Sequence, residues 1–357
     1  MKGVSLQGMI AGAAMAALAV SSFTPAHAKD KAAPANAYQA AVDAAYAKFK
    51  DTHEGKNADY IPALAKVDPN VFGIALVTGD GKVYTAGDLT TEVSIQSISK
   101  VFTMALVMQE QGPDAIYNNI GVDATGMRFN SIVSVEQSKK MAGGPEMNAL
   151  VNPGAITATS MVQGATRDEI WNKILAVHSD CAGRPLAVLK DVYDSEAATN
   201  QRNQAIGMLM YAYEYIKSNP AQATDLYTRQ CSVGVNAKDL AMMAATLANI
   251  GSNPVTGDSV FDFQYIRDVL TVMFTCGLYD YAGEWAYHVG LPAKSGVGGG
   301  IIAVVNRQVG LAVYSPKLDA KGNSVRGILA CKELALHLGL HAFEFTNTGS
   351  NFMKWLL

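Results

Sequence analysis

The sequence has few of the residues that build metal sites or disulfide frameworks. Its four cysteines, in 357 residues, are Cys181, Cys231, Cys276 and Cys331. None belongs to a C-x-x-C pair, and no nearby histidine would make a zinc site with them, which argues against zinc and predicts an enzyme without a metal or other cofactor. Cys231, Cys276 and Cys331 lie in sequence contexts typical of buried free thiols. Cys181, in the polar stretch HSDCAGRP, is the candidate for a disulfide.

Clusters of basic residues are also absent. The chain has 28 Lys and Arg against 31 Asp and Glu, a formal net charge of −3. A mildly acidic chain without a basic block is not suited to nucleic acid or to an anionic membrane surface. The expected partner is therefore a small molecule.

A run long enough to span a membrane is missing. The apolar stretch from Met9 to Val20 has about a dozen residues, where roughly 20 are needed. It follows Lys2 and precedes Ala26-His27-Ala28, an arrangement typical of a secretory signal peptide. We expect cleavage after Ala28 and export to the periplasm, with no membrane attachment afterwards.

The remaining chain is apolar enough for a large core, with 49% hydrophobic residues. Apolar runs bounded by turn residues predict strands near both ends of the chain, at 72–77, 82–85, 301–305 and 309–314. Helical periodicity predicts helices at 36–50, 97 onwards, 204–217, 237–249 and 325–338.

This order of elements predicts an α/β (α+β) fold, with a mixed, antiparallel-rich sheet assembled from both chain ends and flanked by helices. We expect one catalytic unit, residues 29–357. Its α/β lobe would comprise about 50–96 and 280–345, and its helical lobe about 97–279. The functional site would lie at their junction.

The stretch SIQSISKVF holds Ser97 and Lys100 at a helix start. An S-x-x-K match is expected about once by chance in a chain of this length. On this motif alone, the favoured interpretation is a helix N-cap followed by a solvated lysine. The alternative is a catalytic pair, with Ser97 near the positive end of the helix dipole and Lys100 one turn away.

A second motif is Lys294-Ser295-Gly296, followed by three glycines at 298–300. The glycine spacing does not match the G-x-G-x-x-G dinucleotide fingerprint, and the segment precedes a strand. S-x-x-K, then Tyr279-Asp280-Tyr281, then K-[ST]-G is the order of the serine β-lactamase and penicillin-binding protein signature. Tyr281 replaces the usual Asn of the middle element, which argues against a β-lactam substrate.

Seven blocks together resemble the serine-dependent glutaminase family, in order and in spacing from Gly55 to Cys331. The blocks are GKNADYIPALAK (55–66), SIQSISKVF (94–102), NALVNPGAI (148–156), SEAATNQRNQAI (195–206), LYTRQCS (226–232), CGLYDYAGEWAYHVGLPAKSGV (276–297) and GNSVRGILAC (322–331). The resemblance implies a β-lactamase/transpeptidase-like fold, hydrolysis of L-glutamine to L-glutamate and ammonia, and a homodimer or homotetramer. One departure is Pro153, where the family usually has Ala, so the part played by that backbone amide is open.

Amide hydrolysis needs a nucleophile, a proton carrier and donors for an oxyanion. Ser97 is the predicted nucleophile, which would form a γ-glutamyl ester. Either Lys100 or Tyr279 would take its proton, and the sequence does not decide between them. The backbone amides of Ser97 and Val297 would hold the oxyanion, and Lys294 would tune the proton carriers.

Binding a free amino acid requires fixed partners for its α-groups. By resemblance, Glu196 binds the α-ammonium, and four side chains hydrogen-bond the α-groups: Tyr60, Asn152, Asn203 and Tyr227. Glu196 and Asn203 are about two helical turns apart, so one continuous helix would place them on the same side. Without the resemblance, Glu196 and Asn203 would be interpreted as residues of a solvated helix, and the tyrosines as half-buried core residues. His288, a lone histidine between apolar residues, is interpreted as structural.

Two other functions are compatible with these residues. One is a β-lactam- or peptide-interacting serine hydrolase of the same fold. The other is an exported amino-acid-binding protein without catalysis. Use of asparagine, activation by phosphate or salt, and the oligomer number are not determined by the sequence.

Overall fold

The computed structural model describes residues 35–138 and 147–344; the predicted signal peptide lies outside this part of the chain. The helices are α1 (Ala35–Phe49), α2 (Pro62–Ala65), α3 (Ser99–Gln111), α4 (Pro113–Asn119), α5 (Val133–Glu136), α6 (Asn152–Met161), α7 (Arg167–Ala182), α8 (Lys190–Thr199), α9 (Gln201–Ala212), α10 (Pro220–Cys231), α11 (Ala237–Ala248), α12 (Phe263–Cys276), α13 (Ala282–His288) and α14 (Val325–His337). The strands are β1 (Gly73–Thr78), β2 (Val83–Gly87), β3 (Val93–Ser94), β4 (Gly234–Val235), β5 (Ala293–Ser295), β6 (Gly300–Val305) and β7 (Val309–Tyr314).

The main sheet is antiparallel, with the order β2-β1-β7-β6-β5. The two chain ends meet where β1 pairs with β7, Ala75 lying opposite Ala312. Strands β1, β6 and β7 are buried along their whole length, as expected of strands covered on both faces. The predicted fold, a sheet built from both chain ends and flanked by helices, is confirmed.

Helices cover both faces of this sheet. On one face α11 packs against β1, β6 and β7, and on the other lie α1 and α14. A glycine is required at position 310, because a Cβ there would lie 2.1 Å from the backbone nitrogen of Ala245 in α11. The segment assigned to the helical lobe, 97–279, therefore also supplies a helix that lies directly on the sheet.

Helix α3 runs through the centre of the helical part. Its residues from Ser99 to Met108 are all buried, and it contacts α4, α6, α7 and α12. A helix that is buried on every side is held by its neighbours, so the groups at its start are fixed in space.

Among residues 35–138 and 147–344, no helix has the length and apolar character needed to cross a bilayer.

Helix boundaries follow the predicted signals with one clear exception. Helix α11 begins at the predicted capping box, in which Asn236 and Asp239 bond each other's backbone N–H. The helix predicted over 204–217 instead spans Gln201–Ala212. It ends early because Glu214 adopts φ 62°, a left-handed conformation that does not continue a right-handed helix.

The four cysteines are free, buried thiols. Cys181, the candidate for a disulfide, therefore forms none. Cys181 lies near the end of α7 with 0% exposure, facing the apolar core, while Ser179 and Asp180 lie toward the surface of the helix. The polar text around it reflects the surface of the helix and not the environment of the thiol.

Candidate active site

Ser97 lies in a 3-10 turn, Gln96–Ile98, directly before α3. It is buried, with 6% exposure. No side chain caps this turn or α3, whose N-cap residue is Ile98. The interpretation of Ser97 as a helix N-cap is therefore wrong, and its hydroxyl is free for another function at the start of a rigid helix.

The residue before it, Gln96, is strained. Its φ is 50°, a left-handed value that costs a non-glycine residue about 1–3 kcal/mol. Its side-chain amide lies 3.2 Å from Ser94 Oγ and 3.3 Å from Glu196 Oε2, donating to both. Gln96 is not among the predicted site residues. Its position beside Ser97 is the only signal in the sequence, since residue types do not reveal a backbone angle.

Lys100 is buried, with 1% exposure, so the solvated-lysine interpretation is also wrong. Its Nζ donates to Asn152 Oδ1 at 2.7 Å and to the Leu150 carbonyl at 3.5 Å. Burial lowers the pKa of Lys100 to about 8, although nearby Cys231 and Glu196 act in the opposite direction. With that pKa, roughly one molecule in ten has a neutral amine at pH 7.

Lys294, on β5, is fully buried. Its Nζ donates to the Ser295 carbonyl at 2.6 Å and the Gly277 carbonyl at 3.0 Å, and lies 4.1 Å from the centre of the Tyr279 ring. Burial, and then the charge of Lys100, hold the pKa of Lys294 well below its usual value. The charge of Lys100 therefore disfavours the charged form of Lys294.

Tyr279 begins the 3-10 turn Tyr279–Tyr281 with a φ of 60°. Its hydroxyl donates to the Ser295 carbonyl at 2.9 Å. Burial raises the pKa of Tyr279, and a hydrogen bond with Ser97 opposes that rise. The phenol therefore stays protonated at neutral pH while it lies next to the Ser97 hydroxyl.

The glycine-rich turn after β5 packs against the Ser97 turn. A Cβ at Gly296 would lie 3.0 Å from the Ile95 carbonyl oxygen, and one at Gly298 would lie 2.9 Å from that of Ser94. Glycines are needed here because the two backbones approach so closely. Val297, 4% exposed, lies between these glycines and so beside the start of α3.

Asn152, the first residue of α6, joins several predicted site residues. Its Oδ1 accepts from Lys100 and, at 3.1 Å, from the Tyr227 hydroxyl, and its Nδ2 donates to Asn203 Oδ1 at 2.9 Å. Pro153 follows in the first helical turn, where a backbone N–H has no partner within the helix. The proline is therefore compatible with α6 as it stands.

Glu196, on α8, is buried with 5% exposure. Burial raises its pKa to about 7, against the opposing effects of Gln96 and Lys100. The assumption that Glu196 and Asn203 share one helix is wrong, because α8 ends at Thr199 and α9 begins at Gln201. Both still reach the site, through Gln96 and Asn152 respectively.

The two predicted tyrosines differ in exposure. Tyr227 is buried, whereas Tyr60 as a whole residue is 53% exposed. Burial of the Tyr60 hydroxyl, followed by the influence of Tyr279 and Glu196, raises the pKa of Tyr60 well above the usual value, so this end of the side chain lies toward the site. His288 lies on the exposed side of α13 near Lys332 and takes no part.

The comparisons with known proteins agree on one family. A family model described as Glutaminase matches residues 55–343. The chain belongs to the glutaminase family. A glutaminase of Trichormus variabilis is 50% identical, over 87% of this chain and 91% of that protein. One of Colwellia psychrerythraea is 48% identical, over 85% and 97%.

Solved structures of glutaminases share the fold. The probable glutaminase YbaS is 44% identical, with a TM-score of 0.84 over 87% of this chain and 99% of that one. A probable glutaminase from Bacillus subtilis, complexed with 6-diazo-5-oxo-L-norleucine, is 28% identical, with a TM-score of 0.75 over 88% and 98%. The predicted membership of the glutaminase family is confirmed.

In the described residues, no three His, Cys, Asp or Glu side chains are grouped to hold a metal ion.

Proposed function

We propose that this chain hydrolyses the side-chain amide of L-glutamine through a γ-glutamyl ester on Ser97. The observation that carries the proposal is one buried cluster that contains Ser97, Tyr279, two lysines of lowered pKa and, near Lys100, a buried carboxylate, Glu196. This cluster provides both a reactive centre and a partner for a free α-ammonium.

In the first step Ser97 Oγ attacks the amide carbon while its proton passes to the base. The backbone amides of Ser97 and Val297 stabilise the oxyanion. When the C–N bond breaks, the same proton is delivered to the nitrogen, which leaves as ammonia. Water then attacks the ester, gives up a proton by the same route and releases glutamate, restoring the Ser97 hydroxyl.

The pKa values support Lys100 as the base. Its amine, with a pKa of about 8, is partly neutral at physiological pH, whereas burial keeps the Tyr279 phenol protonated. Tyr279 is hydrogen-bonded to Ser97 and therefore suited to relay the proton. Lys294, whose Nζ lies 4.1 Å from the centre of the Tyr279 ring, would tune that phenol.

Glu196 and the group around Asn152 support recognition of the α-groups. A buried carboxylate gains most from a cation that is brought to it, and the α-ammonium of glutamine is such a cation. Asn152, Asn203, Tyr227 and Tyr60 provide amides and hydroxyls toward the same region. Selectivity for a free amino acid follows from this arrangement.

Export and assembly stay predictions. A mature protein that begins at Lys29 should be recovered from a periplasmic extract, as N-terminal sequencing would show. Mass measurement of the purified protein in solution should give a homodimer or homotetramer. A cytoplasmic protein that begins at Met1 would contradict the first prediction, and a monomer would contradict the second.

Ammonia release from glutamine, with wild type and Ser97→Ala, tests the function. Turnover should fall by at least about four orders of magnitude in the variant, which should still bind glutamate. The electrophilic analogue 6-diazo-5-oxo-L-norleucine should add its mass to the Ser97 peptide. Label on another residue would contradict the assignment. Binding of glutamine without ammonia release would identify an amino-acid-binding protein, and acylation by penicillin instead would identify a β-lactam-interacting hydrolase.

A further inference from the structure

Behind the Ser97 turn lies a fully buried serine that the mechanism above does not use. Ser99 Oγ donates to the Gln96 carbonyl oxygen at 2.7 Å, and the Ser99 backbone N–H donates to the same oxygen. Ser99 has 0% exposure. One carbonyl is therefore held by two hydrogen bonds from one residue.

The Ser99 hydroxyl is itself anchored from the other side. Gln230 Nε2 donates to Ser99 Oγ at 3.5 Å, while Gln230 Oε1 accepts from Thr103 at 2.9 Å and from Thr159 at 3.4 Å. These four side chains are at most 1% exposed and belong to α3, α6 and α10. The network thus ties the Gln96 carbonyl to three helices.

The Gln96 carbonyl and the Ser97 N–H belong to one peptide group. No cis peptide bond occurs in the described residues, so this group is trans and planar, and its C=O and N–H point in opposite directions. Holding the oxygen toward α3 therefore aims the Ser97 N–H away from α3. In the proposed reaction this N–H is one of the two oxyanion donors.

This peptide group needs to be held, because its plane can turn about ψ of Gln96 and φ of Ser97, the two soft dihedrals on either side of it. Rotation of the plane would turn the N–H away from the oxyanion. The two hydrogen bonds on the carbonyl oppose that rotation. They also polarise the peptide, which strengthens the N–H as a donor.

We propose that Ser99 is a positioning residue, whose hydroxyl, anchored by Gln230, fixes the Gln96–Ser97 peptide so that the Ser97 amide faces the oxyanion. The inference rests on the proposed function, since it needs Ser97 to be the nucleophile. It assigns to the third residue of the S-x-x-K motif a function in transition-state stabilisation and none in substrate binding.

The test compares Ser99→Ala with wild type. Loss of an oxyanion donor costs about 10²- to 10³-fold in kcat, and misorienting one should cost less, about 10- to 100-fold. We expect that loss in kcat and in single-turnover ammonia release, with the KM for glutamine and the Kd for glutamate unchanged. Ser99→Thr, which keeps the hydroxyl, should recover most of the rate.

Ser232→Ala is the matched control. Ser232 is also 0% exposed, and its hydroxyl donates to a backbone carbonyl, that of Thr228, at 2.9 Å, outside the network. Its kcat should equal that of wild type. If Ser99→Ala does not fold, Gln230→Met decides instead, because it removes the anchor and should lower kcat several-fold at constant KM.

Equal kcat in Ser99→Ala and Ser232→Ala would overturn the inference, as would a loss that is entirely in KM. In the second variant, an unchanged kcat in Gln230→Met would overturn it too. Failure of the proposed function is distinguished by Ser97→Ala. If that variant keeps its turnover, the acyl-enzyme is wrong; if it is inactive while Ser99→Ala is fully active, only the positioning function of Ser99 is wrong.

Discussion

The site has two sides that differ in charge and in how they are built. The proposed catalytic side consists of Ser97, Lys100, Tyr279 and Lys294, and the proposed recognition side of Glu196, Asn152, Asn203, Tyr227 and Tyr60. Burial lowers the pKa of both lysines on the first and raises that of the carboxylate on the second. Burial therefore disfavours the charged forms of Lys100, Lys294 and Glu196 in the absence of substrate.

They also differ in their supports. The catalytic side lies on the start of α3, on β5 and on the short turn before α13, next to one another through the glycine-rich turn at 296–300. The recognition side gathers residues from α6, α8, α9 and α10, together with Tyr60 from the segment before α2. Chemistry thus depends on local motifs, and recognition on the packing of several helices.

After loss of the nucleophile Ser97, removing the base should produce the largest effect on turnover. Lys100→Ala should lose about 10²- to 10⁴-fold in kcat, the usual contribution of general base catalysis. Steady-state kinetics with glutamine would measure it. Lys100→Arg should be equally impaired, because a guanidinium stays charged. An Arg variant with wild-type kcat would show that Lys100 is not the base.

The contrast between the two sides also explains what the sequence could predict. Strands β1, β6 and β7 and helix α11 follow from apolar patterning and capping residues, because those signals are local. The catalytic side was marked by S-x-x-K and K-S-G, whereas the recognition side was reached only through family resemblance. Its residues come from separate helices, and their spacing carries no signal of contact.

Other features depend on tertiary contacts and could not be predicted. The left-handed Gln96 and Tyr279 are held in place by surrounding structure, since each would be strained in isolation. The break between α8 and α9 at Asn200 is stabilised by its side chain, which donates to Thr228 of α10 at 2.9 Å. Strand β5 is short and defined by its pairing with β6.

On the recognition side, the next largest effect should come from Glu196→Gln. Losing a charge-assisted partner in a buried site costs about 1.5–3 kcal/mol, or roughly 10- to 150-fold in kcat/KM for glutamine. The deficit should shrink sharply with N-acetylglutamine, which lacks the ammonium. Glu333→Gln, whose carboxylate pairs with Lys48 at the surface, is the control and should behave as wild type. Full discrimination between the two substrates in Glu196→Gln would rule out an ammonium-binding function.

The pH dependence should report both sides together. Turnover of free substrate needs Glu196 ionised and Lys100 neutral, and raising the pH favours both forms. With pKa values of about 7 and about 8, kcat/KM should rise about tenfold between pH 7 and pH 8. In Glu196→Gln one transition should remain. It should lie at lower pH than the Lys100 step of wild type, because the Glu196 charge raises the pKa of Lys100. A flat wild-type profile would contradict this picture.

The remaining prediction concerns the stability of the residues that support the catalytic side. His178, on α7, is fully buried against Phe102 of α3, with 5.6 Å between ring centres, and its Nδ1 lies 2.7 Å from the Ile174 carbonyl. Burial lowers the pKa of His178 to about 4. Between pH 6.5 and 4 the unfolded chain binds a proton that the folded chain does not. The free energy of unfolding should therefore decrease as the pH is lowered through this range, by roughly 3 kcal/mol at most.

Urea unfolding at pH 7, 6 and 5 would measure this loss. His178→Phe keeps a ring of similar size and cannot be protonated, so its free energy of unfolding should change less over that range, even though the bond to Ile174 is lost. His288→Phe, the same substitution at an exposed histidine, should keep the wild-type dependence. If His178→Phe and His288→Phe lose stability equally on acidification, the neutral His178 is not what makes the packing behind α3 sensitive to acid. The acid sensitivity would then have to come from carboxylates elsewhere in the fold, and the catalytic side would not differ from the recognition side in this respect.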